Sequence, residues 1–156
     1  MKILGIDSAE LTGFAVVSRA PDGTERLEQH GVLTIRAAAD VELAVAELAS
    51  ANPDLVTVEE PFIHPKYPMT GLVLARLLGR WLQAFEARGF TTVTIPASMW
   101  QPGVLPGITR QTRSAQRKAA AVAFARERFG VEVGEDAADA IALATFAART
   151  ASRRAA

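Results

Sequence analysis

The stretch Lys2-Ile3-Leu4-Gly5-Ile6-Asp7-Ser8 constrains this chain more than any other. Its β-favouring apolar residues run straight into a single acid. Thr12-Gly13-Phe14-Ala15-Val16-Val17 follows, reading as a second strand that leaves a tight turn. The pattern predicts a buried central strand with Asp7 at its tip. A carboxylate so flanked is a poor surface solubiliser. Two roles fit it: a ligand for something cationic, or a cap of the turn through its own backbone. Further acids downstream, set where a sheet-and-helix fold can bring them to the same place, weigh for the first.

In order, residues 2–7, 12–19 and about 25–35 read as three strands, with Pro21-Asp22-Gly23 marking the second turn. Connections this short predict an antiparallel meander. Val41, Ala44, Val45 and Leu48 have helical spacing and predict a helix over about 39–51, stopped by Asn52-Pro53. Leu55-Val56-Thr57-Val58 is a short buried strand ending on Glu59-Glu60. A helix between two strands implies a crossover, so this strand should lie parallel to the first. After a loop from Pro61 to Pro68, a long helix is expected over about 69–88, with Leu74, Leu78, Trp81, Leu82 and Phe85 on its core face. Gly71, Ala75 and Gly79 form a small-residue stripe on it, suited to tight packing on the sheet or to a dimer contact. Arg76 and Arg80 are a basic edge or solvated helix charges. Gly89 ends this helix, and Thr91 to Ile95 is a fifth strand. Residues 97–112, rich in Pro and Gly, read as irregular, with Trp100 packed beneath them. A helix over 113–129 starts basic, and a last helix runs from Glu135 or Asp136 to about Arg149, before a frayed tail. The expectation is a single domain over residues 1–150 with a tail at 151–156.

Apolar residues make up 49% of the chain, enough for a real core, yet no run of about 18 of them is uninterrupted, so a spanning helix is not expected. The N-terminus enters a strand without a signal-peptide pattern, and there is no cysteine, which excludes disulfides and cysteine-based metal sites. A cytosolic, soluble protein is expected. The 17 basic and 17 acidic side chains cancel, which argues against gripping nucleic acid by overall charge. The distribution is uneven, however: Arg110 to Arg128 holds six basic residues and one acid, and the balance reverses over Glu132 to Asp139.

Glu59 and Glu60 sit at the end of the strand expected beside the first, so one of them should lie next to Asp7. Side chains alternate along a strand, so only one can. Asp136 and Asp139 are three apart at a helix start and share a face. First-turn acids also complement the helix dipole, an ordinary arrangement. The rest of that helix, Ala140-Ile141-Ala142-Leu143-Ala144, is small and apolar, so its acids should face the sheet. Carboxylates sharing a site repel unless cations are present. Oxygen-only ligands favour magnesium or manganese over zinc. Two such ions about 4 Å apart can activate water and stabilise the leaving oxygen of a phosphodiester. The basic segment, with Arg110, Arg113, Arg117 and Lys118, would supply phosphate contacts.

Gly5-Ile6-Asp7 with Thr12-Gly13, Val58-Glu59-Glu60-Pro61-Phe62, and Asp136-Ala137-Ala138-Asp139-Ala140 together resemble the RuvC-type Holliday-junction resolvases. Leu74-Ala75-Arg76-Leu77-Leu78-Gly79 looks like that family's long dimerisation helix. The resemblance runs through nearly the whole chain in order. It implies an α/β, ribonuclease H-like fold: a mixed five-stranded sheet, three antiparallel strands then two parallel, flanked by helices. It implies a homodimer through helix 69–88, acting on four-way DNA junctions, with a branch-migration helicase as a possible partner. Each site would hold two magnesium ions, manganese substituting, and cut to leave a 5′-phosphate and a 3′-hydroxyl. The metal ligands carried over are Asp7, Glu59, Asp136 and Asp139, Glu59 being preferred to Glu60. Phe62 matches an aromatic that unstacks junction bases, or else anchors its loop by burial. Arg113 matches a basic residue near the scissile phosphate, and Arg76 and Arg80 are taken as further DNA contacts.

The chain departs from the family where a second lysine is expected and Gln101-Pro102 stands, in the three prolines of loop 61–68, and at Gly107-Ile108-Thr109 in place of Gly-x-Gly. The alternatives are a ribonuclease H-like nuclease for other branched DNA or for RNA, a junction binder that does not cleave, and an actin-like ATP-binding domain. His30 and His64 read as ordinary strand and loop residues.

Overall fold

The computed structural model describes residues 1–109 and 111–154, the last three of these by backbone alone. Strands β1 (Lys2–Asp7), β2 (Leu11–Arg19) and β3 (Glu25–Thr34) lead into helix α1 (Ala38–Ala49), strand β4 (Leu55–Glu60) and helix α2 (Pro68–Glu86). Strand β5 (Thr92–Pro96) and helices α3 (Ala97–Val104), α4 (Ser114–Phe129) and α5 (Glu135–Arg154) complete the order. The five-stranded sheet runs β3-β2-β1-β4-β5. β1, β2 and β3 are antiparallel neighbours, while β4 lies parallel to β1 and β5 parallel to β4. This is the antiparallel-then-parallel sheet that the residue pattern predicts, and the mixed sheet of the ribonuclease H-like fold that the resemblance implies.

Alternation along β1 decides what each face meets. Leu4 and Ile6 enter a core with Val41, Val45, Leu48, Trp81 and Phe85, under α1 and α2. Ile3 points the other way, into a core built on α5 with Ala140, Ile141 and Ala144. Trp81 and Phe85 stack at 6.2 Å on the inner face of α2 and are fully buried, each worth roughly 2–3 kcal/mol. Leu78 and Leu82 pack beside them, but Leu74 is half-exposed, so the α2 core face starts one turn later than its apolar spacing suggests.

Two glycines set how α5 sits on the sheet. A Cβ on Gly5 would lie 2.7 Å from the Ala140 carbonyl oxygen and 2.8 Å from the Ala144 Cβ. A Cβ on Gly13 would lie 1.9 Å from the carbonyl oxygen of Asp136. The backbone of α5 therefore rests directly on β1 and β2, which the alanine content of the helix also permits.

Three expectations need correction. Residues 97–104 are helical despite Pro102, because Trp100, Val104 and Leu105 are buried against α5 and that burial outweighs local propensity. Helix α5 continues to Arg154 rather than ending near Arg149, since no Gly or Pro interrupts it. The small-residue stripe of α2 does not face the sheet: Gly71 is covered by Ile63 of the preceding loop, and a Cβ on Gly79 would meet nothing within 4 Å. No helix among the described residues is long and apolar enough to cross a membrane.

Candidate metal and nuclease site

The register of the sheet brings the acids together. Ile6 pairs with Val58 across β1 and β4, so the next residues, Asp7 and Glu59, leave the strand ends at the same level. Across β2, Asp7 pairs with Gly13. Asp7, Gly13 and Glu59 alternate with residues of the α1–α2 core, so all three face α5. Because Gly13 has no side chain, the first turn of α5 descends onto it and carries Asp136 beside Asp7. One turn on, Asp139 points to the same place. The side chain of Thr12, fully buried, donates to the Ala9 carbonyl at 2.5 Å and closes the turn after β1.

Glu60 takes the opposite face and is exposed, which separates the two adjacent glutamates as strand alternation requires. Glu59 is half-buried, and its Oε2 accepts a hydrogen bond from the Trp100 indole Nε1 at 2.8 Å. The sequence placed Trp100 beneath its segment. It gave no sign of this bond, which links residues 41 apart in the chain.

The fields of these carboxylates overlap. Burial first, then the charge of Asp136, raises Asp7 from 3.8 to about 6, against the opposing charge of Lys118. Burial and then Asp7 raise Glu59 from 4.5 to about 8, with Asp139 adding to this; the Trp100 hydrogen bond and the Arg117 charge pull the other way. Asp139 is raised from 3.8 to about 7 by burial, then by Asp7, with Asp136 and Glu135 contributing and Lys118 opposing. Hydrogen bonding to Glu135 at 2.7 Å is the main cause of a raised Lys118. Each acid thus makes its neighbours harder to ionise, the condition a bound cation relieves.

The donor set fits a hard divalent ion: carboxylate oxygens from three elements, with no cysteine in the chain. Among the described residues, no group of three or more His, Asp or Glu side chains meets the spacing of a formed metal-ion cage. The acids are within each other's electrostatic reach without being closed around a centre.

The other expected site residues divide into two groups. Arg117 lies close, its Nη1 donating to Gln101 Oε1 at 3.3 Å while its charge acts on Glu59. Lys118 acts on Asp7 and Asp139. Arg113 is exposed at the N-cap of α4. Phe62 is 77% exposed, so it is not a buried loop anchor; it rims a cavity of about 630 Å³ with Pro61, Pro96, Gln101 and Arg117. Arg76 and Arg80 are exposed on the α2 side instead, lining a groove of about 580 Å³ with Glu10, Ile35 and Arg36, and they do not join the acids. Arg110 lies outside the described residues.

Among solved structures, the chain is similar to RuvC of Thermus thermophilus, with a TM-score of 0.75 and 22% identity over 97% of this chain and 98% of that one. It is similar to the fowlpox virus resolvase, solved with substrate Holliday junction DNA, at TM-score 0.67 and 13% identity over 97% and 99% of the two chains. It is also similar to the yeast mitochondrial Holliday junction resolvase, at TM-score 0.58 and 15% identity over 98% and 82%. No protein-family model and no curated protein matches the sequence. At these identities the likeness defines the fold, which is RuvC-like and ribonuclease H-like.

Proposed function

We propose that this chain is a divalent-metal-dependent, structure-selective endonuclease that resolves four-way DNA junctions, leaving 5′-phosphate and 3′-hydroxyl ends. One observation carries the reading: the sheet register and the seat of α5 on Gly13 bring partly buried carboxylates from β1, β4 and α5 to one place, where Asp7, Glu59 and Asp139 are held harder to ionise, an arrangement costly to a chain that does not hold cations there. The fold's solved neighbours include RuvC in complex with a Holliday junction substrate, which supports DNA junctions as the substrate class.

Asp7, Glu59, Asp136 and Asp139 would hold a pair of magnesium or manganese ions. Bound there, the pair supplies an activated water and stabilisation of the leaving oxygen. The chain's own residues do the rest. Arg113, Arg117 and Lys118, with Arg110, bind phosphates along the strand being cut, and Lys118 and Arg117 limit the repulsion among the acids. Phe62, exposed at the cavity rim, offers a face on which an unpaired base stacks. Arg76 and Arg80 line the same groove as Val73, so they reach DNA arms from the rim of the α2 surface on which a second copy packs. The exposed apolar residues Met69, Leu72 and Val73, with open Gly79, form the surface on which a second copy packs, so that two sites face one junction.

Incubation with a four-way junction, a flap, a linear duplex and an RNA–DNA hybrid, each with magnesium or manganese, tests this. Paired nicks in the junction arms are expected, and cleavage of the hybrid or flap in preference to the junction would overturn the substrate assignment. The second reading is a junction binder that does not cut. Junction binding without metal-stimulated nicking would select it.

A further inference from the structure

We propose that Trp100 is the positioning residue for Glu59: its indole N–H fixes one carboxylate oxygen and leaves the other free for a cation. This rests on the reading of the acids as a cation site. The donor is at 2.8 Å from Glu59 Oε2, and the ring that carries it is fully buried in the α5 core. A buried indole has one N–H in a fixed direction and no alternative rotamer freedom in a packed core. It therefore orients a carboxylate more tightly than a flexible lysine would. It is also neutral, so it aligns the carboxylate without cancelling the charge that a divalent ion needs.

Helix α3 is built to hold this donor in place. Gly103 has no side chain because a Cβ there would lie 2.4 Å from the Phe146 ring, so α3 is pressed directly onto α5. The next residue after Trp100, Gln101, accepts from Arg117, whose charge acts on Glu59. Two successive residues of α3 thus bear on the same carboxylate, one directly and one through Arg117. The other tryptophan provides a contrast. Trp81 is equally buried, on the opposite face of the sheet, and its Nε1 has no hydrogen-bond partner among the described residues. Burial of an indole in this chain does not by itself require an acceptor, so the acceptor at Trp100 calls for a separate reason.

The test uses the indole N–H resonances of the two tryptophans in the full chain. Without metal, Glu59→Gln should move the Trp100 resonance and leave that of Trp81 in place. Titrating magnesium into the wild type should also move the Trp100 resonance alone. By calorimetry, Trp100→Phe, which keeps a large ring and removes the donor, should weaken magnesium binding by about 10–100-fold, the usual loss when a ligand's supporting partner is removed. Trp81→Phe should leave it unchanged, controlling for lost ring volume. A Trp100 resonance that ignores Glu59→Gln overturns the proposal, even where Trp100→Phe does not fold. Equal magnesium affinity in folded Trp100→Phe and wild type also overturns it. A wild type that binds no magnesium overturns the cation site itself and the proposal with it, and the wild-type titration alone identifies that case.

Discussion

Replacing Asp7 with asparagine should make the cation-free protein more stable, although it removes a proposed ligand. Burial and the charge of Asp136 raise the Asp7 carboxyl from 3.8 to about 6. At about 1.4 kcal/mol per pH unit, that displacement destabilises the fold by about 3 kcal/mol where the group is ionised in both states. The unfolded chain loses this proton near pH 3.8 and the folded chain near pH 6. Below the first value both states are protonated and the cost is absent. Between the two values stability falls as pH rises, and above the second the whole cost is in place. Asp7→Asn removes the charge in nearly the same shape. At pH 8 in chelator it should raise Tm by roughly 6–12 °C for a domain of this size. The gain should shrink below pH 6 and vanish near pH 4. Thermal unfolding by circular dichroism across this range measures it. Magnesium should raise the Tm of the wild type and much less that of the variant. A variant no more stable than the wild type at pH 8, or a gain that persists at pH 4, would refute the reasoning.

Gly13→Ala forces a Cβ to within 1.9 Å of a backbone oxygen of α5, so it should cost about 3 kcal/mol in urea unfolding and eliminate nicking; wild-type stability would contradict the contact. Val73→Glu places a charge on the exposed α2 face and should give a folded monomer by light scattering, whereas an unchanged dimer would move the interface elsewhere. Glu25 is anchored by Arg149 at 2.7 Å and Arg128 at 2.9 Å. Burial opposes its ionisation, but the hydrogen bonds and charges of Arg149 and Arg128 outweigh this and hold its pKa below the ordinary value. The Glu25 side chain is covered but both arginines are a third to nearly half exposed, so Glu25→Gln should cost about 1 kcal/mol at pH 7. The deficit should narrow as pH falls below 4.5, through the lower folded pKa, and a deficit constant with pH would exclude the ion pair as its cause.

The sheet was legible because alternation and turn residues are local signals. The Lys2–Asp7 strand, the Asn52-Pro53 stop and the crossover to Leu55 all read directly from neighbouring residues. The acids at strand ends followed from the same logic, and strand periodicity required that only one of Glu59 and Glu60 face α5, while the choice of Glu59 came from the family resemblance. Helix α3 was not legible, since Pro102 and Gly103 argue locally against a helix and the burial of Trp100 against α5 is a property of the folded chain. The Trp100–Glu59 bond was hidden for the same reason. The glycine of Thr12-Gly13 was visible as part of a motif, but its reason, the seat it makes for the Asp136 backbone, emerges only when α5 is placed on β2. Phe62 could not be assigned to solvent or core from sequence because an aromatic between prolines suits either.

Diffraction from crystals soaked in manganese, collected at its absorption edge, tests the central claim most directly. The account predicts two anomalous peaks about 4 Å apart, bounded by Asp7, Glu59, Asp136 and Asp139, with Glu59 Oε2 still held by Trp100. Peaks elsewhere, or none within reach of Asp7 at saturating manganese, would contradict it.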